Sequence, residues 1–327
     1  MATVSPFGRG TETVVDTNVR NSFEIDMKPL IYETHRKLQR EIPLEKLSPG
    51  NYVSLRPYKL VMYQEGGHFD AHRDTVRGED HIGTLVVILN SEYTGGELEV
   101  THHGHAESVT GPYSWVAMYG DCLHQIKPVT SGTRVSLIFD IHKGYDTFWG
   151  TSRRNEGKVE VREGLVAVPT EVKSDIFAAL EGEIDSYDPL VICLSHMYPA
   201  CQAEPSFLKG ADRLLYDLLQ ERFEVAVVYC TIYREWDEDD GDEDGGCFKG
   251  FLFDSFTRTA VEQGGKVNQE LSDTAPVPKK TKFVIPRQLD PDSILDYTPY
   301  AEHTGNESQA EETMYVVTGL QVRRRSE

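Results

Sequence analysis

The pattern of apolar and charged positions near the start of the chain predicts one amphipathic helix. Residues 25–42 place aliphatic side chains such as Leu38 and Ile42 close to the helical period, with charged residues between them. The preceding residues 1–20 are mostly polar, and we expect them to be loosely ordered.

Short segments with the character of β-strands follow, and turn residues such as glycine, asparagine and proline separate them. Some are rich in β-branched, aromatic or other apolar residues, and others alternate between apolar and polar positions; they are residues 58–63, 84–89, 96–101, 113–119 and 134–141. Many short strands with frequent turns favour a sandwich or a barrel over βαβ units.

The pattern changes after residue 145. Helical periodicity and strand-like composition now alternate, in residues 171–185, 208–222, 224–236, 248–256 and a last short strand at 315–317. We therefore predict two regions. Residues 1–145 hold the N-terminal helix and a mainly β core, and residues 146–327 form an α+β region of unknown role that could pack on this core.

Polar stretches in the C-terminal region are interpreted as exposed. The acidic run at residues 237–244 lacks the ordered ligand spacing of a calcium loop, so a solvated loop is favoured over a cation site. Residues 262–282 indicate a linker or exposed loop, and residues 300–307 indicate a turn, with a substrate-facing loop as the functional alternative. The basic residues 323–325 are interpreted as a solvated tail.

The formal net charge of −20 argues against a nucleic-acid partner, because so negative a surface repels phosphate backbones. The five cysteines are scattered and form no C-x-x-C pair, which indicates a reducing, intracellular compartment, cytoplasmic or nuclear. The sequence shows no secretory signal and no apolar stretch of the roughly 18 residues needed to span a bilayer, so no membrane association is expected.

His72 and Asp74 are the first candidates for chemistry. Residues two apart on a strand point to the same face, so this imidazole and this carboxylate could hold one metal ion. Together they match two of the three ligands of a 2-His-1-carboxylate triad, which leaves positions on iron(II) open. Because an H-x-D pair also occurs by chance, a surface histidine beside a solvated aspartate is the alternative.

A candidate third ligand and a candidate anion-binding residue follow further along the chain. His124 comes just after the Gly120-Asp121 turn signal, and ten residues later Arg134 opens an apolar strand. A guanidinium inside such a strand is costly unless it meets an anion, and a dicarboxylate co-substrate would supply one. Lys127 is an alternative anchor, although it lies only three residues after His124.

Other histidines offer rival interpretations. The cluster His102-His103-Gly104-His105 could bind zinc or nickel, but its position between a strand and a Gly-Pro turn favours the tip of a hairpin. His142 and His196 have no histidine or carboxylate at a useful spacing, and we interpret them as structural.

The ordered series of residues between positions 58 and 142 resembles the catalytic core of the prolyl 4-hydroxylase-like branch of the iron(II)/2-oxoglutarate oxygenases. The residues that carry the resemblance are Tyr63, Phe69, His72, Asp74, Leu89, Asn90, Tyr93, Gly95, Gly96, Glu97, Gly111, Gly120, Asp121, His124, Pro128, Val129, Gly132 and Arg134. The series as a whole is more specific than any pair within it.

The resemblance implies a fold and a set of roles. The fold is a double-stranded β-helix, or jelly roll, so that the chain is mainly β with flanking helices and an α+β extension at its C-terminal end. His72, Asp74 and His124 would be the catalytic iron ligands, and Arg134 would hold the distal carboxylate of 2-oxoglutarate.

Further residues would contact the co-substrate. Tyr63 would line the pocket and hydrogen-bond it, Thr84 would do the same from the strand opposite, and Ser136 follows Arg134 on the same face. A buried core tyrosine is the alternative interpretation of Tyr63. The implied cofactors are iron(II), 2-oxoglutarate as co-substrate and molecular oxygen, with ascorbate supporting activity.

The resemblance also implies a reaction. The chain would be a dioxygenase that hydroxylates an unactivated C–H bond and releases succinate and carbon dioxide. The motif order favours a protein side chain such as proline as the substrate. A small-molecule oxygenase and a non-catalytic binding module on the same fold are the alternatives, and nucleic-acid demethylation is the least favoured. The sequence identifies neither the hydroxylated position nor the oligomeric state.

Overall fold

The computed structural model describes residues 2–9, 12–27, 32–48, 51–102, 105–144, 169–187, 189–199, 202–235, 247–253, 282–284, 315–316 and 318–325. The described residues up to Gly144 lie in one compact unit, and those from Pro169 onward lie in a second. The division predicted between residues 145 and 146 falls in the interval between them and stays a prediction.

The first unit contains one α-helix, a short 3-10 helix and fifteen strands among its described residues. They are β1 (Thr3–Val4), β2 (Phe7–Arg9), β3 (Glu12–Val14), β4 (Arg20–Asn21), β5 (Phe23–Asp26), α1 (Tyr32–Glu41), the 3-10 helix Leu44–Lys46, β6 (Val53–Tyr63), β7 (His68–His72), β8 (His81–Ile88), β9 (Tyr93–Gly95), β10 (Leu98–His102), β11 (His105–Val109), β12 (Trp115–Tyr119), β13 (Leu123–Ile126), β14 (Val129–Gly132) and β15 (Arg134–Lys143).

Two antiparallel sheets form the body of this unit. The larger has the strand order β1-β5-β6-β15-β8-β12, and the smaller has the order β11-β10-β13-β7-β4. From β6 to β15 the chain passes back and forth between the two sheets, and apolar side chains from both, including Val61, Val86, Leu98 and Ile126, share one core. This is the topology of a double-stranded β-helix, so the predicted jelly roll is confirmed.

The expectation that residues 1–20 are loosely ordered was wrong. Strand β5 pairs with β6 and strand β4 pairs with β7, so the N-terminal segment extends both sheets. Phe7 is fully buried in the shared core, and Arg20 is 2% exposed. The predicted helix at residues 25–42 is also corrected, because its first residues belong to β5 and the helix spans Tyr32–Glu41.

The second unit is an α+β arrangement, as predicted. Its described elements are α2 (Thr170–Ile184), β16 (Leu190–Cys193), β17 (Tyr198–Pro199), the 3-10 helix Pro205–Phe207, α3 (Gly210–Gln220), β18 (Phe223–Glu235), β19 (Cys247–Phe253), β20 (Lys282–Val284), β21 (Tyr315–Val316) and β22 (Thr318–Arg324). A five-stranded sheet has the order β19-β18-β22-β16-β20, in which β16 and β20 run parallel. One core combines side chains of α2, α3, β16 and β22, such as Phe177, Leu219, Leu190 and Leu320.

Several predictions from the sequence concern residues of this C-terminal region. The basic residues taken for a solvated tail include Arg323 and Arg324, which lie in β22 and pair with β18. The acidic run at residues 237–244, most of residues 262–282 and the cluster at residues 300–307 lie outside the described residues. None of the helices in the described part of the chain is long and apolar enough to cross a bilayer.

Asp212, in the first turn of α3, holds a loop of the second unit in place through hydrogen bonds. Its carboxylate is 2% exposed and accepts hydrogen bonds from the backbone N–H groups of Ser195 and His196, at 2.8 and 2.9 Å, and from the Tyr198 hydroxyl, at 2.9 Å. Because every donor points at one buried carboxylate, the loop after β16 depends on the negative charge of this residue.

Replacement of Asp212 by asparagine should therefore destabilise the protein. The new amide group would face a donor instead of accepting from it, and we expect a loss of about 3 kcal/mol in the free energy of unfolding, measured by urea unfolding. The control is Asp217→Asn on the same helix, where an exposed pair with Arg213 is removed and a change of about 0.5 kcal/mol or less is expected. Equal effects of the two variants would contradict the fastening role.

A second set of buried charges lies beside β15 in the first unit. Arg77 donates to Asp140 through Nε at 3.1 Å and through Nη2 at 2.5 Å, and His81 Nε2 lies 3.8 Å from the same carboxylate. Burial, with a further contribution from Arg77, lowers the pKa of His81 to about 3. The folded protein thus keeps the His81 imidazole neutral, while the unfolded chain protonates it near its ordinary pKa of 6.5.

This difference in pKa predicts a pH dependence of stability. Above pH 6.5 neither state binds the proton, and between pH 6.5 and about 3 only the unfolded state does, so the free energy of unfolding falls as the pH falls. The expected contribution to the slope is at most about 1.4 kcal/mol per pH unit. Urea unfolding from pH 7.5 to 5 should show a flatter slope for His81→Asn, whereas His105→Asn on the exposed hairpin strand should keep the wild-type slope. A wild-type slope in His81→Asn would contradict the assignment.

Candidate metal centre

Three potential ligands meet on the inner side of the smaller sheet. His72 ends β7 and His124 lies in β13, and these two residues are direct partners across the two strands. Asp74 lies beyond the end of β7, where its N–H donates to the Gly120 carbonyl at 3.0 Å. The ligand atoms of the three residues all lie within 4.8 Å of one another, and all three side chains are buried. This spacing suits a single ion.

Backbone carbonyls orient the two imidazoles. His72 Nδ1 lies 2.7 Å from the Asp70 carbonyl oxygen, and His124 Nδ1 lies 3.0 Å from the Cys122 carbonyl oxygen. Because a carbonyl can only accept, Nδ1 carries the proton in both rings, and each Nε2 presents a lone pair. Nε2 of His124 lies 3.9 Å from Oδ1 of Asp74, so the lone pairs and the carboxylate face a common point.

Asp74 is held as a charged carboxylate. Burial raises its pKa, but electrostatic interactions with His124 and Arg77 and a hydrogen bond from Thr84 outweigh this effect, so its pKa lies below the ordinary value of 3.8. The Thr84 hydroxyl donates to Oδ2 at 2.5 Å, which leaves Oδ1 directed toward His124. The sequence suggested Thr84 as a co-substrate contact; its side chain does line the pocket, and its hydroxyl hydrogen-bonds to the carboxylate.

Arg134 is the second unusual charge of the site. The side chain is 1% exposed, and its Nη1 donates to the Ser136 hydroxyl at 2.8 Å, while Nε and Nη2 are buried and meet no hydrogen-bond acceptor among the described residues. Gly96 makes room for it, because a Cβ atom there would lie 3.1 Å from Cδ of Arg134. Burial lowers the pKa of Arg134, and Tyr63 and Tyr93 act in the opposite direction. A guanidinium nevertheless stays charged at neutral pH.

One pocket joins the potential ligands to Arg134. Its free space, including the mouth, is about 470 Å³. The polar groups that line it are His72, Asp74, His124, Arg134, Ser136, Tyr63, Thr84 and Arg20, and the apolar side chains are Val61, Phe69, Val86, Leu98, Met118, Ile126 and Ile138. The donor set suits iron(II), and Nε and Nη2 of Arg134, which meet no acceptor among the described residues, suit a carboxylate. The residues present therefore fit a metal ion and a dicarboxylate together.

The rival candidates lie elsewhere. Lys127 is largely exposed and pairs with Glu99 at 2.6 Å, and it does not line the pocket. His102 and His105 face each other across the β10–β11 pair, so the predicted hairpin is confirmed. His142 Nδ1 lies 2.9 Å from a carboxylate oxygen of Asp80, in a contact that its spacing in the sequence did not indicate.

Arg20 is a polar residue of the pocket that the sequence did not suggest, and the aliphatic lining residues were not singled out either. It lies in a strand of two residues, which is too short to show an alternating pattern. Arg20, Ser22 and Glu24 occupy alternate positions and all three are buried in the structure, but three polar residues at this spacing do not by themselves indicate a buried face.

Comparison with known proteins agrees with this geometry. Residues 58–142 match the model of the 2OG-Fe(II) oxygenase superfamily. The chain is also similar to solved structures of prolyl hydroxylases. One, a prolyl-4-hydroxylase from Pseudomonas putida, is 17% identical over 39% of this chain and 75% of that one, with a TM-score of 0.32.

Two other solved structures have similar statistics. A Trichoplax adhaerens prolyl hydroxylase, in complex with a peptide fragment of hypoxia inducible factor, is 15% identical over 42% of this chain and 70% of that one, with a TM-score of 0.34. A viral collagen prolyl hydroxylase from Paramecium Bursaria Chlorella virus-1 is 17% identical over 38% and 81%, with a TM-score of 0.32.

The family match covers the strands that bring together His72, Asp74, His124 and Arg134. Residues 58–142 thus match a 2OG-Fe(II) oxygenase domain, and this match together with the geometry of the site supports an iron(II)- and 2-oxoglutarate-dependent dioxygenase.

The contact between Thr84 and Asp74 gives a prediction about metal binding. Thr84→Val removes the donor that orients the carboxylate, and we expect the affinity for Co²⁺, used as a spectroscopic substitute, to fall about tenfold. Thr84→Ser keeps the hydroxyl and should stay near wild type. Titration calorimetry with Co²⁺, followed by 2-oxoglutarate at saturating metal, separates two roles for this residue. A loss confined to 2-oxoglutarate affinity would instead make Thr84 a co-substrate contact.

Proposed function

We propose that this dioxygenase hydroxylates an unactivated C–H bond of a protein side chain, such as proline, and releases succinate and carbon dioxide from 2-oxoglutarate. The observation that carries the proposal is the buried guanidinium of Arg134, with two donors unpartnered among the described residues, in the same pocket as His72, Asp74 and His124. A buried cation of this kind calls for an anion, and a 2-oxo dicarboxylate can reach from Arg134 to the metal.

Each residue has a role in this proposal. His72 and His124 would hold iron(II) through Nε2, and Asp74 would hold it through a carboxylate oxygen. Iron(II), when bound, supplies the activation of oxygen that is coupled to the oxidation of 2-oxoglutarate. No side chain needs to act as nucleophile or general base, so the work of the protein is to bind and orient.

Arg134 would receive the distal carboxylate of 2-oxoglutarate in a two-pronged pair through Nε and Nη2. Ser136 holds the third nitrogen, Nη1, and so fixes the plane of the guanidinium. Tyr63 is buried beside it, with the Arg134 Cζ atom 5.8 Å from the ring centroid, and we assign its hydroxyl to the co-substrate as well.

The apolar lining bears on the substrate. Val86, Met118 and Ile126 face the same pocket as the potential ligands, and such walls exclude water and suit an aliphatic C–H bond. The motif order between positions 58 and 142 favours a protein substrate. A small molecule is the second candidate, and the same apolar lining would suit it.

An intracellular setting and support by ascorbate complete the proposal. The five cysteines are scattered along the sequence and form no C-x-x-C pair, which is typical of a protein from a reducing compartment. Ascorbate is included because iron in this class must stay in the reduced state between turnovers.

Arg134 provides the sharpest test of the co-substrate site. Arg134→Met replaces the guanidinium with an apolar side chain of similar length and so removes the charge. We expect the dissociation constant for 2-oxoglutarate to rise about a hundredfold, because a charge-assisted pair is lost. Co²⁺ affinity should stay within about threefold, because the metal ligands are untouched. Lys127→Met is the matched control and should bind 2-oxoglutarate like wild type. An unchanged affinity of Arg134→Met for 2-oxoglutarate would contradict the role of Arg134 as the residue that binds the distal carboxylate.

The substrate requires a separate experiment. Succinate formation with iron(II), ascorbate and cell extract is compared between wild type and the double variant His72→Ala/Asp74→Ala, which should be inactive. Mass spectrometry of the extract then looks for a protein that gains one oxygen atom. A hydroxylated metabolite without any modified protein would establish the small-molecule alternative, and metal binding without turnover would favour the binding module.

A further inference from the structure

We propose that Arg20 is a positioning residue for the iron ligand His72, so that the N-terminal strands are part of the metal centre. The inference rests on the proposed function, because it takes His72 as a ligand. Arg20 lies outside residues 58–142, which carry the family match.

The geometry begins with two contacts of Phe69. The rings of Phe69 and His72 are stacked, with centroids 3.6 Å apart and an interplanar angle of 21°. The Arg20 Cζ atom stands over the Phe69 ring at 4.5 Å from its centroid. Phe69 therefore contacts both a cation and a candidate metal ligand, and it connects the two.

Arg20 is itself fixed by its neighbours in the N-terminal segment. Nε donates to the Ser22 hydroxyl at 3.1 Å, Nη1 donates to the Pro6 carbonyl at 2.6 Å, and Nη2 lies 3.8 Å from a carboxylate oxygen of Glu24. The other oxygen of Glu24 meets Lys59 Nζ at 2.6 Å. A buried guanidinium with these partners has one plane and one position.

The Phe69 stack adds to the other restraints on the His72 ring. The contact between Nδ1 and the Asp70 carbonyl restrains one edge of the imidazole, and the His124 ring lies 4.2 Å away, centroid to centroid. Because the torsion that turns the ring has a broad minimum, the stack on Phe69 helps to set the plane of the imidazole. When Arg20 is absent, Phe69 can tilt, and the His72 lone pair no longer points at the site shared with Asp74 and His124.

The charge of Arg20 serves a different purpose from that of Arg134. Arg20 has an anionic partner in Glu24, whereas Arg134 keeps donors that meet no acceptor in the described part of the chain. Arg20 therefore does not compete for the co-substrate, and its loss should affect the metal first.

The test measures Co²⁺ binding by the full chain without co-substrate, through the visible absorption of the bound ion. Arg20→Met should raise the dissociation constant for Co²⁺ between about tenfold and a hundredfold and alter the absorption band. Arg20→Lys keeps the charge but not the planar stack, and it should show most of the same loss. The matched control is Arg9→Met, which removes an exposed arginine that stands 5.4 Å over the Phe7 ring of the same segment, and it should bind like wild type.

A double-variant cycle separates positioning from general destabilisation. If Arg20 acts through Phe69, Arg20→Met should have little further effect on Co²⁺ affinity in a Phe69→Leu background. Additive effects, or a wild-type dissociation constant in Arg20→Met, would overturn the inference. Failure of the proposed function gives another result, because Co²⁺ affinity would then be the same in wild type and in His72→Ala.

Discussion

The constraint on which the site depends is a buried positive charge that meets no carboxylate in the described part of the chain. Transfer of a guanidinium from water to a protein interior is costly unless each donor finds an acceptor. Among the described residues, Arg134 meets this requirement through Ser136 for only one of its nitrogens. An anion in the pocket would supply acceptors for Nε and Nη2, and the same pocket contains three potential metal ligands.

The contrast with other buried arginines strengthens this argument. Arg20 has Glu24 as a neighbour, and Arg77 binds Asp140 through two nitrogens. The first unit therefore supplies carboxylates to buried cations where the role is structural. Arg134 is the exception among these three residues, because it lines the pocket, as Arg20 does, but meets no carboxylate among the described residues.

The sequence predicted the parts of the site that depend on regular spacing. His72 and Asp74 lie two residues apart, and Arg134 opens a long apolar strand, so elementary strand geometry indicated both the metal and the anion. The Thr84–Asp74 hydrogen bond could not be predicted, because it depends on the distance between a loop and a strand that are ten residues apart. Arg20 was missed for a related reason, since strands of two to four residues contain too few positions to reveal a period.

The fold was predictable from the sequence where strands have a strong local pattern, and not where their position depends on long-range pairing. The long strands β6, β8 and β15 have strong apolar patterns and were found, although with ends that differ by several residues. Strand β22 was hidden because its last residues are basic and resemble a solvated tail. Its position is set by pairing with β16 and β18, which is a long-range effect that local composition does not report.

Strand register connects these features to function. Arg134, Ser136, Ile138 and Asp140 alternate along β15, and the first three line the pocket while Asp140 is the partner of Thr84 across the strands. A shift of one residue in the pairing of β15 would turn this whole set to the outer face. The apolar side chains between them, such as Leu137 and Phe139, are buried on the other side and oppose such a shift. The packing that stabilises the larger sheet therefore also keeps Arg134 directed toward the metal ligands, and stability and site geometry depend on the same strand.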